Sequence, residues 1–267
     1  MANCLIALGS NLGDRAAQLR QATAELSSLP ATRLIARSTW RETPPIGGPA
    51  GQGPFLNAAA LLSTSLAPAA LLAELRRIEM ESGRVRVDRW AARSLDVDLL
   101  LYDNAVIQTA ELQVPHPRMA FRRFVLEPAS EIAAWMIHPE SGWTIGELLQ
   151  HLNRGANRIA VAAADAEIAE QVVRQIAEEL NLRIEIGAPA SGGRPGITRW
   201  TPGVDLPANR PKLLLAVNTS AGMNAHQLRR MLHLPPTGPV AWIAPATADG
   251  FHEALAAVQS VWPALAT

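Results

Sequence analysis

Apolar positions along the first hundred residues change period several times, and each change marks an element. Residues 4–9 (Cys-Leu-Ile-Ala-Leu-Gly) are a continuous apolar run that predicts a buried strand, and Gly9 to Asp14 reads as a turn ending in a helix cap. From Asp14 to Leu29, Leu19, Ala22, Leu26 and Leu29 recur at helical spacing until Pro30 stops them. A strand over about 32–41, a Pro/Gly-rich loop from Thr43 to Pro54 and a strand over Phe55–Thr64 follow. Pro68 suits the first turn of a second helix, with Leu71, Leu75 and Ile78 on one face and Gly83 at its end. An apolar strand over Asp96–Tyr102 completes the order β-α-β-β-α-β. That order predicts an α+β, ferredoxin-like sheet with helices on one face. Further short elements run to about His151.

From Arg158 onward the pattern alternates strand and helix. Arg158–Ala163 predicts a strand, and Ala164–Leu180 a helix with Ile168, Val172, Ile176 and Leu180 four apart. Strands are expected at Leu182–Ile186, Leu213–Val217 and Val240–Ala244, helices around Gln227–Leu232 and Ala248–Trp262, and a long loop from Gly187 to Pro211. This predicts a second α/β domain with a mainly parallel sheet. The polar stretch 153–157 (Asn-Arg-Gly-Ala-Asn) is the expected linker, giving domains at 1–153 and 158–267.

Composition narrows the chemistry. The 24 basic and 24 acidic residues cancel, which argues against bulk binding to nucleic acid or an anionic membrane. The single cysteine, Cys4, lies in an apolar run and reads as a small core residue. No apolar stretch approaches membrane-spanning length, so a cytoplasmic protein is expected.

Charge clusters in one place. Four arginines (Arg84, Arg86, Arg89 and Arg93) lead into the strand that holds Asp96 and Asp98. Side chains at i and i+2 of a strand share a face, with Cα atoms roughly 6.6 Å apart. Two carboxylates so placed can ligate Mg²⁺, while the arginines grip phosphate. A half-exposed edge strand would also tolerate two aspartates, but it would not require the arginines. Three other segments suit a small-molecule phosphotransferase. Thr43-Pro44-Pro45-Ile46-Gly47-Gly48 is a rigid loop able to bond a flat heterocycle, or simply a turn. Phe55-Leu56-Asn57 offers a stacking ring and a paired donor and acceptor, or a core Phe beside a capping Asn. Val114-Pro115-His116-Pro117-Arg118 to Phe124 fixes His116 between prolines ahead of Arg122 and Arg123, as anion contact or as structure.

Taken together these segments resemble the 6-hydroxymethyl-7,8-dihydropterin pyrophosphokinase family over about residues 4–150. The carriers are Ala7-Leu8-Gly9-Ser10-Asn11-Leu12-Gly13-Asp14, Glu42-Thr43-Pro44-Pro45, Phe55-Leu56-Asn57-Ala58-Ala59, Arg77-Ile78-Glu79, Gly83-Arg84-Val85-Arg86, Arg89-Trp90, Arg93-Ser94-Leu95-Asp96-Val97-Asp98 and Pro115-His116-Pro117-Arg118. The resemblance implies transfer of diphosphate from ATP to the pterin's hydroxymethyl group, with AMP released, in folate biosynthesis. It implies Asp96 and Asp98 as ligands of two Mg²⁺ ions, acting catalytically with Arg84 and Arg93. It sets Glu79, Arg84, Arg86, Arg89, Arg93, His116 and Arg122 on the ATP side. Thr43, Pro44, Ile46, Phe55, Asn57, Trp90 and Phe124 fall on the pterin side.

Two departures stand out. Ala91-Ala92 replaces the family's usual Gly-Pro, and Glu111 stands where some members carry arginine. Beyond residue 155 the resemblance stops. The strand-to-helix connection there, Ala-Ala-Asp-Ala-Glu, has no glycine-rich phosphate loop and no lysine. It suggests at most a degenerate P-loop-like fold with a packing or homo-oligomerisation role. A catalytically silent nucleotide- or pterin-binding module, or a bifunctional enzyme with a nucleoside-kinase-like second domain, are the alternatives.

Overall fold

The computed structural model describes residues 1–48, 51–82, 93–185, 194–200, 210–217, 225–235, 237–244 and 248–265. Two compact units divide the chain, Met1–Leu149 and Gln150–Leu265.

The first unit begins with β1 (Ala2–Ser10), α1 (Arg15–Ser28), β2 (Thr32–Arg37), β3 (Arg41–Thr43), β4 (Phe55–Thr64), α2 (Pro68–Glu81) and β5 (Asp96–Tyr102). The sheet order is β2-β4-β1-β5, all neighbours antiparallel, with β3 pairing on the β2 side of β4. The strand expected over 32–41 is therefore two strands. Ser38 lies between them and exchanges bonds with Ala59: its N–H donates to Ala59 O and its Oγ accepts from Ala59 N. Asp14 caps α1 by accepting from Ala17 N–H at 2.9 Å, as the turn chemistry predicts.

Cys4, Ile6, Leu8, Ala58, Ala60, Leu62, Val97 and Leu99 share one sheet face and form a single core with Leu19 and Leu26 of α1 and Leu71 and Leu75 of α2. Leu5, Ala59 and Leu61 alternate with them and are buried as well. Their cover follows β5: β6 (Ile107–Gln108) pairs β7 (Gln113–Val114), then a 3₁₀ turn (Met119–Phe121) leads into α3 (Arg123–Ala133). α1 and α2 thus share one face, and α3, which lies outside the β-α-β-β-α-β pattern, packs on β4, β1 and β3 and covers the other. The cause lies in β4, which is apolar on both sides and needs two covers. A short pair, β8 (Ile137–His138) with β9 (Trp143–Thr144), precedes α4 (Ile145–Arg154).

β5 is an edge strand among the described strands, and it carries a bulge. Three residues, Leu99 to Leu101, span the distance of two on β1, Leu5 and Ile6. Strict alternation would have put Tyr102 on the face of Asp96 and Asp98. The extra residue returns Tyr102 to the core, where its hydroxyl donates to Leu66 O at 2.8 Å.

The second unit holds β10 (Ala156–Ala163), α5 (Ala166–Glu179), β11 (Arg183–Ile184), β12 (Gly196–Arg199), β13 (Pro211–Val217), α6 (Ala225–Met231), β14 (Val240–Ile243) and α7 (Ala248–Val261). All neighbours run parallel in the order β11-β12-β10-β13-β14. The parallel sheet matches the expectation, but β12 falls inside the stretch expected to be a loop. Its four residues follow Pro195 and begin with Gly, so local composition disguises a strand that pairs on both sides. The stretch 153–157 also carries structure of its own, since α4 continues through Arg154 and β10 starts at Ala156. Lys212, the only lysine, is buried and donates Nζ to the carbonyls of Leu152 and Asn153 at the end of α4. No helix among the described residues is long and apolar enough to cross a membrane.

Candidate active site

Those expected side chains that lie among the described residues converge at one end of the first sheet. Val97 and Leu99 face the helical core, so Asp96 and Asp98 project from the other face of β5. Gly9 sits opposite Asp96 on one side and opposite Asn57 on the other. A Cβ at Gly9 would stand 3.3 Å from Asn57 Oδ1, 3.9 Å from the Phe55 ring and 4.0 Å from Asp96 Cβ. Gly9 is thus inside β1 and forms the floor between the two halves of the site. Periodicity ended the strand there; the pairing shows that the glycine is needed for space as much as for a turn.

A cleft of about 580 Å³ lies over this floor. One wall carries Thr43, Pro44, Ile46, Phe55, Asn57 and Phe124. Asn57 is buried and donates Nδ2 to Thr43 Oγ1 at 2.8 Å, so the two recognition candidates orient one another across the β3–β4 pair. The other wall is charged. Arg93 Nη1 lies 2.8 Å from Asp96 Oδ2, and His116 Nε2 lies 3.9 Å from Asp98 Oδ2. His116 Nδ1 accepts from the Arg118 backbone N–H at 3.2 Å, so the neutral ring carries its proton on Nε2, towards Asp98. Burial, with Arg122 and Arg118 nearby, pushes the imidazole down to about 3, which keeps it uncharged at neutral pH. Burial also lowers Arg122, to about 10, so this guanidinium remains cationic. It lies over the Phe124 ring at 5.4 Å, joining the two walls.

Glu79 is buried and accepts from Val97 N–H at 2.9 Å. It fixes the backbone between the two aspartates while also lining the cleft. Sequence reasoning missed Leu72, Arg76, Ala110, Leu112 and Gln113, which line the cleft with Glu79. Arg76 stands one helical turn before Glu79, a spacing that could have found it. Its Nη2 donates to Glu111 O at 3.1 Å. Glu111, noted as a departure from the family pattern, does line the cleft. Arg84, Arg86, Arg89, Trp90 and the Ala91-Ala92 pair lie outside the described residues.

The donor set fits a divalent cation of the magnesium type. Asp96 and Asp98 present hard carboxylate oxygens to the cleft, and no group of three His, Cys, Asp or Glu among the described residues could hold an ion alone. Mg²⁺ is commonly held this way, by one or two carboxylates with substrate phosphates and water. A two-walled cleft with paired carboxylates, guanidinium groups and an amide-lined wall is a candidate site for metal-dependent phosphotransfer to a small molecule.

The comparisons agree with that class. The model of the family described as 7,8-dihydro-6-hydroxymethylpterin-pyrophosphokinase (HPPK) matches residues 5–134. Three relatives are each named 2-amino-4-hydroxy-6-hydroxymethyldihydropteridine pyrophosphokinase. The one from Haemophilus influenzae is 45% identical over 141 residues, covering 53% of this chain and 88% of the relative. Another, from Pseudomonas aeruginosa, is 43% identical over 144 residues, covering 54% and 88%. The Bacillus subtilis relative is 48% identical over 127 residues, covering 48% and 75%. A solved Plasmodium falciparum HPPK-DHPS covers 90% of this chain and 70% of its own, with 12% identity and a TM-score of 0.43, too distant to define a shared fold. The chain belongs to the 7,8-dihydro-6-hydroxymethylpterin-pyrophosphokinase family.

Proposed function

We propose that this chain is a 2-amino-4-hydroxy-6-hydroxymethyldihydropteridine diphosphokinase of folate biosynthesis. It transfers diphosphate from ATP to the hydroxymethyl oxygen of 6-hydroxymethyl-7,8-dihydropterin, releasing AMP. One observation carries the reading: in a member of this family, the carboxylate pair, Arg93, His116, Arg122 and the Thr43–Asn57 pair line a single cleft.

Asp96 and Asp98 would hold two Mg²⁺ ions, which supply neutralisation of the phosphate charge. The protein's own part is placement and electrostatics. Arg93 and Arg122 grip phosphate oxygens with planar forks that stay charged. His116 donates Nε2–H as a neutral group, so it can orient a phosphate oxygen without adding charge. The sandwich of Phe55 and Phe124, with Thr43 and Asn57 at the edge, holds the pterin so that its hydroxymethyl oxygen faces the β-phosphorus. Arg84, Arg86, Arg89 and Trp90 are assigned with them by family resemblance alone.

The finer fold reading belongs to the same proposal. The order β2-β4-β1-β5, antiparallel throughout, supports a ferredoxin-like domain over 1–153. Residues 158–267 are read as a degenerate P-loop-like domain with a packing or homo-oligomer role, in a cytoplasmic protein. Supporting this, the N-terminus of α5 is taken by Asp165, whose Oδ1 accepts from Glu167 N–H at 2.7 Å. A carboxylate there repels phosphate.

The test is AMP release from ATP and the hydroxymethyl pterin. Turnover should fall at least about 10²-fold in Asp96→Ala and in Asp98→Ala with the fold retained, the scale seen when one transition-state contact is removed. Near-normal turnover in either variant sinks the metal assignment.

A further inference from the structure

The strands set the order of groups across the cleft. Asn57 stands on β4, Gly9 on β1, and Asp96 and Asp98 on β5, two strand spacings or about 10 Å from β4. Beyond them, α2 and the β6–β7 hairpin both lie against β5. Leu72 and Arg76 of α2, with Glu111 and Leu112 of the hairpin connection, line the cleft there. With the pterin side at β4 and the carboxylates at β5, in-line attack on the β-phosphorus sends the α-phosphate and its nucleoside to this far end.

Two opposite charges stand at that end without pairing. Arg76 Nη2 donates to the backbone oxygen of Glu111 at 3.1 Å, which leaves the remaining guanidinium N–H groups open. Among the described residues the Glu111 carboxylate has neither a hydrogen bond nor an ion pair, and its side chain is exposed. The hairpin tip is braced separately: Thr109 N–H donates to Leu112 O at 3.0 Å, and Leu112 N–H donates to Thr109 Oγ1 at 3.0 Å. Residue 111 is therefore held by its backbone while its carboxylate is free to meet a ligand. A carboxylate can only accept, and a guanidinium can only donate. Ribose offers two adjacent hydroxyl donors, and a carboxylate is the group that takes a ribose hydroxyl in dinucleotide sites. The α-phosphate offers acceptors that suit the planar fork of arginine. Because Arg76 sits on the carbonyl of the same residue, the acid adds no net negative charge where a triphosphate has to enter.

We propose that Glu111 and Arg76 bracket the leaving nucleotide, Glu111 taking the ribose hydroxyls and Arg76 the α-phosphate, so that Glu111 makes this chain select ATP over its 2′-deoxy analogue. This rests on the function proposed above. Glu111 is the acid already noted as a departure from the family pattern, so the selection belongs to this chain's own residue. Leu72 and Leu112 supply apolar surface for the base and tolerate any purine, which leaves the sugar as the part that is read.

The experiment uses the full chain with Mg²⁺ and saturating 6-hydroxymethyl-7,8-dihydropterin. Turnover is followed with ATP, with 2′-deoxy-ATP, and with inosine triphosphate, which keeps the ribose but has a carbonyl in place of the 6-amino group. Wild-type kcat/KM should favour ATP over 2′-deoxy-ATP by about tenfold, the scale of one hydrogen bond to a charged group. Glu111→Ala should bring that ratio near one, chiefly by raising KM for ATP. Arg76→Ala should weaken inhibition by AMP about tenfold and leave inhibition by adenosine unchanged, a split that loss of the hairpin brace alone would not produce. Both side chains are exposed, so neither substitution threatens folding. A wild-type ratio of one, or a ratio unchanged in Glu111→Ala, overturns the proposal. So does a change in the ATP-to-inosine triphosphate ratio in its place, which would put the carboxylate on the base, or equal weakening of AMP and adenosine in Arg76→Ala. Absence of AMP-forming turnover in the wild type is a separate outcome, which overturns the proposed function itself.

Discussion

At the scale of single residues, the site depends on groups whose contribution is geometric. Glu79 is the clearest case, because it holds the one backbone N–H between Asp96 and Asp98. Glu79→Ala should cost about 1–3 kcal/mol in urea unfolding, the penalty for orphaning a buried polar group, and should lower turnover as well. Gly9→Ala should act on one substrate more than the other. The new methyl would press on Asn57 and Phe55 before it reached Asp96, so KM for the pterin should rise about tenfold with a smaller change for ATP. His116 gives a pH prediction. With its imidazole held near 3, it does not titrate between pH 5 and 8, so His116→Gln should lower the kcat/KM profile without changing its shape over that range. An inflection lost in the variant would show that the ring is charged in the working enzyme.

At the scale of elements, the tie between β3 and α3 is ionic and testable by pH. Glu131 of α3 is pushed up by partial burial, but it is held lower overall by the Thr39 N–H, Arg41 and the Thr39 hydroxyl. A carboxyl lowered in the folded state contributes stability above its ordinary value, and that contribution is lost as pH falls through the folded value. Glu131→Gln should therefore be less stable at pH 7, and its stability should fall less steeply on the acid side below about pH 4.5. Equal slopes would remove Glu131 from the account.

The elements also show how far the sequence could be read. Phe55–Thr64 and Asp96–Tyr102 were legible to the residue, because each is a long apolar run bounded by turn residues. β3 was hidden because Ser38 breaks the strand through its side chain, which no periodicity reports. β12 was hidden because its strand character comes from pairing on both sides with β10 and β11. In the site, the aspartates and His116 were visible as chemistry. Gly9 and Arg76 were harder to assign, since a floor and a wall are properties of neighbours.

At the scale of the whole molecule, the groups proposed above for catalysis all fall in Met1–Leu149. A chain ending after Arg154 should keep AMP-forming turnover within about threefold, as expected when no group touching substrate is removed. Collapse of turnover in a folded fragment would make the second unit part of the machinery. Within that unit, Lys212→Met should cost about 1–3 kcal/mol by leaving the buried Leu152 carbonyl without its cation.

The position of β5 has one more consequence. A strand that offers two carboxylates to a bulky substrate must lie where substrate can reach it, and here that is the rim of the sheet. Rims recruit foreign strands, since their outward N–H and C=O groups are unspent. This rim is plugged at two points: Glu79 takes the Val97 N–H, and the His116 backbone N–H donates to Leu100 O at 2.9 Å. Residues proposed for the ATP side thereby also satisfy rim groups that a foreign strand would otherwise pair with.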